Sequence, residues 1–397
     1  MKQNREEEGF SHLLGGEPEA VVCPTTVEEV AEIVRRASEA KQVVVPWGGG
    51  TGQTYGYFPE RIDILLDLRE LHRVVAHEPG DLTTTVQAGV PLNHLQNTLA
   101  KHNQYLPLDP PHPNRATLGG ILATDAFGAS SLAHGTARDW LIGILVVDAQ
   151  GRTVKGGGKV VKNVTGYDLP KLHIGALGTL GVIVEATFKV APRPESHIGM
   201  MLDSPTPELV RRIHQETEPT MSLLRETGSG AILALIYTGF SEVVQSFREK
   251  ALTIARETNS AVASLPSGMP PPFTGTPPAS ELVVAIAGQS ASSMARHQAL
   301  SEMAIWEQLD TYPGTGITEG YLKDAADPEA VWTHLGEWTR KNRCYLSARH
   351  APPEMRSDSG KIGLWLPLPA AFPLMKRLKE TLDPERILNR GRYIGGL

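Results

Sequence analysis

Two cysteines, Cys23 and Cys344, are all that this 397-residue sequence contains. That number excludes a disulfide framework and leaves too few thiolates to ligate an iron–sulfur cluster within the chain. No CxxC or HxxxH spacing occurs, and His214, His297, His334 and His350 are scattered, so no metal site is expected. Long apolar runs are missing too, and nothing approaches the ~20 residues a transmembrane helix needs. Charge of one sign is also scarce: the net formal charge of −6 is spread along the chain without a basic block. Nucleic acid and anionic membrane surfaces are therefore poor partners. The opening segment, Met1 to Ser11, is polar and acidic and does not read as a signal peptide. A cytoplasmic protein is expected, peripheral at an inner membrane only through partners.

What is present is ordinary globular composition, 41% hydrophobic and 21% charged, at a length natural for two domains. Thr26 followed by Glu29 predicts a capped helix, with apolar residues at Val27, Val30, Ile33, Val34 and Ala37 and an end near Lys41. Short strands follow at Val43–Val45, Ile62–Leu68, Thr83–Gln87 and Leu141–Val147, with a hairpin through Ala149-Gln150-Gly151 into Thr153–Lys155 and a further strand over 181–190. Beyond residue 196 the pattern changes to strands alternating with amphipathic helices. Strands are expected at Ile198–Leu202, Ile232–Tyr237 and Leu282–Ala287, and helices at Glu208–Glu216, Glu242–Glu257 and Ser292–Gln308. Pro266 to Pro278 holds six prolines and reads as a surface loop.

The chemistry-bearing feature is Val45-Pro46-Trp47-Gly48-Gly49-Gly50-Thr51-Gly52-Gln53. Consecutive glycines allow several backbone N–H groups to converge on one anion such as a diphosphate. A plain surface turn is the competing reading. A Rossmann turn fails because Thr54 to Pro59 cannot begin a helix, and a P-loop fails for want of Gly-Lys-Ser/Thr. The run has companions in order: Leu106 to Pro111, Ala116-Thr117-Leu118-Gly119-Gly120, Gly128, His134-Gly135, Arg138-Asp139, Lys162 to Leu169, and Gly175 to Ile183.

That ordered set resembles the FAD-binding domain of the vanillyl-alcohol oxidase and p-cresol methylhydroxylase superfamily over residues ~20–195. Within it the chain is similar to glycolate oxidase FAD-binding subunits, whose C-terminal pattern recurs as Leu382 to Arg392. The resemblance implies an α+β fold: a two-subdomain FAD-binding domain of the p-cresol methylhydroxylase type over 1–195, completed by 380–397. A cap of antiparallel sheet covered by helices would span 196–379. It implies that Pro46, Gly48, Gly49, Gly50, Thr51, Gly52 and Gln53 wrap the cofactor diphosphate. Leu108, Asp109, Thr117, Gly119 and Gly120 would form a second loop along diphosphate, ribityl and flavin. Gly128, Gly135, Arg138 and Asp139 would belong to the same wall, and Gly181, Val182 and Ile183 would meet the adenine end.

Some relatives place a histidine at the position of Thr51 and bond it to the flavin; threonine cannot, so the FAD is expected to be non-covalent. Lys162, Tyr167 and Asp168 fall in a loop that relatives place near the flavin, the alternative being a hydrogen-bonded turn. Arg349 is a candidate to face the flavin and hold a substrate carboxylate, with surface packing as its alternative. The expectation is an FAD-dependent oxidoreductase of 2-hydroxy acids, passing electrons to a catalytic flavin subunit and an iron–sulfur subunit. An assembly subunit with structural FAD and a stand-alone FAD alcohol oxidase both stay open, because the histidine-rich metal cluster of the catalytic relatives has no counterpart in this sequence.

Overall fold

A computed structural model describes residues 10–158, 168–227, 230–264, 278–324, 327–357 and 362–397. The chain is α+β, as expected, and three sheets carry the architecture. Ile64–Asp67 lies between Ala20–Val22 and Val44–Trp47 in a small parallel sheet. A five-stranded antiparallel sheet runs in the order Val74–Glu78, Thr83–Gln87, Val182–Lys189, Leu141–Val147, Thr153–Gly157.

The helix Val27–Ala40 joins these two sheets. Val30, Val34 and Ala37 sit one helical turn apart and are buried in a core shared with Leu66, Val147, Val184 and Ile387. Thr26 Oγ1 accepts from Glu29 N at 3.2 Å, half of the expected capping box. The reciprocal arm lands one residue early, since the Glu29 carboxylate accepts from Thr25 N at 2.6 Å. Such a cap contributes about 1 kcal/mol. The helix stops where Lys41 turns left-handed at φ 53°.

The chain end returns to the first sheet. Val44 N donates to Ile387 O (2.7 Å) and Asn389 N to Val44 O (2.9 Å), so residues 387–389 extend that sheet. Buried Lys379 holds this return in place: its Nζ donates to Thr179 O (2.8 Å), Leu388 O (2.8 Å) and Asp383 Oδ2 (2.6 Å). Asp383 in turn accepts from Ile387 N and Leu388 N, both at 2.9 Å.

The third sheet is antiparallel and nine-stranded: Val262–Ser264, Ser196–Asp203, Gly230–Gly239, Met221–Thr227, Trp306–Tyr312, Ile317–Leu322, Val283–Ala287, Tyr345–His350, Trp365–Leu366. Strand side chains alternate between faces. Leu224, Leu235, Ile286, Leu309 and Leu346 fall on one face, under the helices Ser241–Glu257, Ser293–Ser301 and Pro328–Lys341. Arg225, Asp310, Glu319 and Tyr321 fall on the other face, in register across three strands.

One element departs from expectation. The helix read as Ser292–Gln308 ends at Ser301, and Trp306–Tyr312 is a strand. Ala304 turns left-handed (φ 55°), and the Trp306 indole donates to Leu300 O at 2.8 Å while packing over Gly320. The proline loop, apart from Pro278, lies outside the described residues.

Candidate cofactor and substrate site

Strand Val44–Trp47 ends in a turn rather than a helix, and Gly48 to Gly52 cross the cleft between the two smaller sheets. Among the described residues, their five N–H groups find no protein acceptor. The glycines are required by packing as well. A Cβ on Gly49 would stand 1.8 Å from Arg115 O, and Gly50 adopts φ +75° against Trp47. Packed closely on the 115–124 segment, Gly48 to Gly52 with these N–H groups form part of the cavity wall.

The C-terminal return completes the wall. Asn389 and Arg392 line the same cavity and are 4% and 2% exposed. Asn389 Oδ1 and Arg392 Nε are buried without a hydrogen-bond partner. Arg392 Nε calls for an acceptor and Asn389 Oδ1 for a donor, so the occupant must offer both. The diphosphate oxygens and ribityl hydroxyls of FAD fit that pair.

Pro46, Gly48, Gly49, Gly50, Thr51, Gly52, Gln53, Thr117, Gly119, Gly120, Gly181, Val182 and Ile183 are brought together around this one cavity. Other candidates lie apart from it. Leu108 is in the core behind the site. The Asp109 carboxylate is taken by Ser130 N (2.9 Å) and Ser130 Oγ, and burial pushes it up to about 6. Gly128 packs on Asp109, where a Cβ would meet its carbonyl oxygen at 2.2 Å. Gly135, Arg138 and Asp139 form a helix-capping turn, with Asp139 Oδ2 accepting from Thr136 N at 2.9 Å. These positions shape the loops around the cleft rather than its lining. Lys162 and Tyr167 lie outside the described residues.

A second cavity of about 150 Å³ opens beside the first and shares Thr51, Gly52, Gly120 and Thr124 with it. Its roof is the polar face of the large sheet, contributing Val283, Glu319, Tyr321 and Arg349. Arg349 projects at a bulge, where the pairing of Val283 and Val284 shifts register. Its guanidinium lies over the rings of Tyr55 (5.0 Å) and Phe127 (5.5 Å), with Nε 3.9 Å from Glu319 Oε1. Arg349 lines this cavity, and its side chain keeps 27% of its surface accessible. Burial raises the Glu319 carboxylate above the usual range, against the opposing effect of Arg349.

Sequence reading missed Asn389, Arg392, Tyr55, Glu319 and Tyr321. The first two lie inside the C-terminal pattern and carried a signal. Glu319 and Tyr321 had none, because they line the site only through the register of the large sheet.

Residues 18–157 match the model of a family described as an FAD binding domain. Over 179 residues the chain is 34% identical to glycolate oxidase subunit GlcD of Bacillus subtilis (strain 168), covering 45% of this chain and 38% of that protein. It is 35% identical over 196 residues to a D-2-hydroxyglutarate dehydrogenase of Xanthomonas citri pv. viticola, covering 49% and 42%. With glycolate oxidase subunit GlcE of Escherichia coli (strain K12) it shares 37% over 136 residues, covering 34% and 39%. The matched regions span about two fifths of these relatives' own length. The whole fold resembles the crystal structure of p-cresol methylhydroxylase with substrate bound, at TM-score 0.69 and 17% identity, covering 96% of this chain and 89% of that one.

The class defined is an α+β protein with a p-cresol methylhydroxylase-like FAD domain and a large antiparallel sheet. Within that class the chain is related, over less than half its length, to subunits of glycolate oxidase and to a D-2-hydroxyglutarate dehydrogenase. Among the described residues no helix is long and apolar enough to cross a membrane, and no group of three or more His, Cys, Asp or Glu is placed to hold a metal ion.

Proposed function

We propose that this chain is the FAD-binding subunit of a 2-hydroxy acid oxidase or dehydrogenase of the glycolate oxidase kind. The observation that carries this reading is the position of Arg349, held between two aromatic rings in a cavity that opens onto the cofactor cleft. A planar guanidinium fixed in this way suits a carboxylate, which it meets with two parallel hydrogen bonds. The relatives' printed names, glycolate oxidase and D-2-hydroxyglutarate dehydrogenase, point to acids of that class.

In this reading the main-chain N–H groups of Gly48 to Gly52 hold the cofactor, and Gln53, Thr117, Gly119, Gly120 and Gly181 to Ile183 line the cavity around it. Bound FAD supplies the two-electron acceptor. Thr51, which lines both cavities, offers no attachment point, so the cofactor is non-covalent. Residues 1–195 with 380–397 act as the FAD domain, and 196–379 as the cap that supplies Arg349. Electrons leave to partner chains, a catalytic flavin subunit and an iron–sulfur subunit, since two cysteines cannot hold a cluster here.

Anaerobic addition of glycolate, D-lactate or D-2-hydroxyglutarate to the FAD-loaded protein, alone and with its partner chains, tests the proposal. Bleaching of the flavin by one of these acids is the expected result. Bleaching only by a neutral alcohol would replace it with an alcohol oxidase. No bleaching, with or without partners, would leave an assembly subunit with structural FAD.

A further inference from the structure

The polar face of the large sheet carries four charges in a row, Arg225, Asp310, Glu319 and Arg349, and they are not equivalent. Arg225 grips Asp310 through two hydrogen bonds, both 2.7 Å, so that pair is neutralised. Glu319 sits directly opposite Asp310 in the strand register. Its own partners are weaker: Tyr312 Oη donates to Oε2 at 3.3 Å, and Arg349 Nε stands 3.9 Å from Oε1. Glu319 also lines the cavity that adjoins the cofactor cleft, with Tyr321 beside it on the same face. It is a partly buried carboxylate, 17% exposed and loosely paired, lining that cavity.

A 2-hydroxy acid carries its hydroxyl on the carbon next to its carboxylate. If Arg349 holds the carboxylate, the hydroxyl comes to a neighbour of Arg349, and Glu319 is that neighbour. Resting on the 2-hydroxy acid reading above, we propose that Glu319 is the general base of this site, accepting the substrate's hydroxyl proton. As the O–H proton passes to the Glu319 carboxylate, the C–H hydrogen leaves with its electron pair to FAD, the oxidant. The C–O bond becomes C=O, and the products are a 2-keto acid, reduced flavin and protonated Glu319. The substrate's own carboxylate also favours this transfer, because a second negative charge beside Glu319 makes it hold a proton more readily. The groups facing Glu319 are Arg349, Asp310, Tyr312 and Tyr321, with Asp310 itself paired to Arg225, and Tyr55 and Asp125 face Arg349 from the FAD side. Positioned base catalysis is worth roughly 10²–10⁴-fold in rate.

The test uses the FAD-loaded full chain alone, turned over with an electron-accepting dye, as wild type, Glu319→Gln and Glu319→Asp. Oxamate, an unreactive monocarboxylate analogue, is titrated by calorimetry near neutral pH in buffers of different ionisation enthalpy, and its binding is followed by flavin absorbance. Wild type is expected to take up a fraction of a proton on binding oxamate, and Glu319→Gln none. With the reactive acid, Glu319→Gln is expected to lose about 10²–10⁴-fold in kcat at little-changed KM, together with the acid limb of its pH profile. Glu319→Asp should keep that limb at intermediate rate. If Glu319→Gln retains the proton uptake and the acid limb while wild type turns over, Glu319 is not the base and the 2-hydroxy acid reading stands. If wild type neither binds oxamate nor reacts with any 2-hydroxy acid, that reading fails and the role of Glu319 fails with it.

Discussion

Arg356 and Arg392 both donate to the main-chain carbonyl of Gln53, at 2.8 and 2.9 Å. One arrives from the turn between the strands Tyr345–His350 and Trp365–Leu366 of the large sheet, and the other from the C-terminal return. Both are buried, 3% and 2% exposed, and among the described residues neither has a carboxylate partner. Arg356 also donates to Gly56 O and Leu13 O, and Arg392 to Tyr55 O, so all their acceptors except the Gln53 side chain are main-chain carbonyls. Burial lowers the two guanidinium groups to about 9 and about 10, and Arg392 further lowers Arg356. Two buried cations converging on the end of a glycine loop form a site of positive potential beside the cleft.

Arg392→Met is therefore expected to weaken FAD binding by about 10- to 100-fold, the worth of one charge-assisted hydrogen bond. Flavin fluorescence quenching measures it. The unfolding midpoint without FAD should move much less, because removing one of two adjacent buried cations offsets part of the lost hydrogen bonding. An unchanged FAD affinity would confine Arg392 to bracing the loop.

Gly49→Ala brings a methyl group to 1.8 Å from Arg115 O, a main-chain atom that cannot swing aside. The 48–52 loop must then separate from the 115–117 segment. The expected outcome is loss of FAD retention on gel filtration with the far-ultraviolet dichroism of the folded chain preserved. Gly16, whose added Cβ meets nothing, is the control position.

Lys379→Met leaves Asp383 buried without its cation, at 0% exposure. Breaking a buried pair in this way costs about 3–5 kcal/mol. Chemical denaturation should show that loss, and limited proteolysis should cut first near the C-terminal return that Lys379 pins to Thr179 and Leu388. The double variant Lys379→Met with Asp383→Leu should recover part of the stability.

Burial lowers both His173 and His297 to about 4. The unfolded chain takes up their protons near 6.5, so their contribution to stability is complete above that pH and is lost as pH falls toward 4. Asp109, raised to about 6, acts in the opposite sense: it favours the fold at low pH and loses that contribution as pH rises through 6. Between 4 and 6 the two histidines make stability rise with pH, against Asp109 and the other carboxylates that burial raises, Asp125, Glu185, Glu226 and Glu319. His297→Gln, which keeps a partner for Thr311 Oγ1 (3.0 Å from His297 Nδ1), should flatten that rise in pH-dependent thermal unfolding.

The FAD half of the fold was legible because its signals are local. Thr26 and Glu29 marked a helix start, and the glycines after Trp47 marked a loop whose spacing no side chain would allow. The large sheet was less so. Trp306–Tyr312 and Ile317–Leu322 alternate polar and apolar residues on both faces, and the helical pattern before them ran on past Ser301. Glu319 therefore stayed invisible: its place in the site follows from its pairing with Asp310 and from the bulge that projects Arg349. Asp109 was legible as a motif residue, while its employment by Ser130 is a tertiary fact; Asp139 caps its own short helix through Thr136, a local contact.

The most direct test of the account is the absorption spectrum of the purified chain before and after acid precipitation. Flavin bands near ~450 nm that pass wholly into the supernatant, identified there as FAD, are the predicted result. Colour retained in the pellet would contradict the reading of Thr51, and a colourless chain that takes up no added FAD would contradict the cofactor site itself.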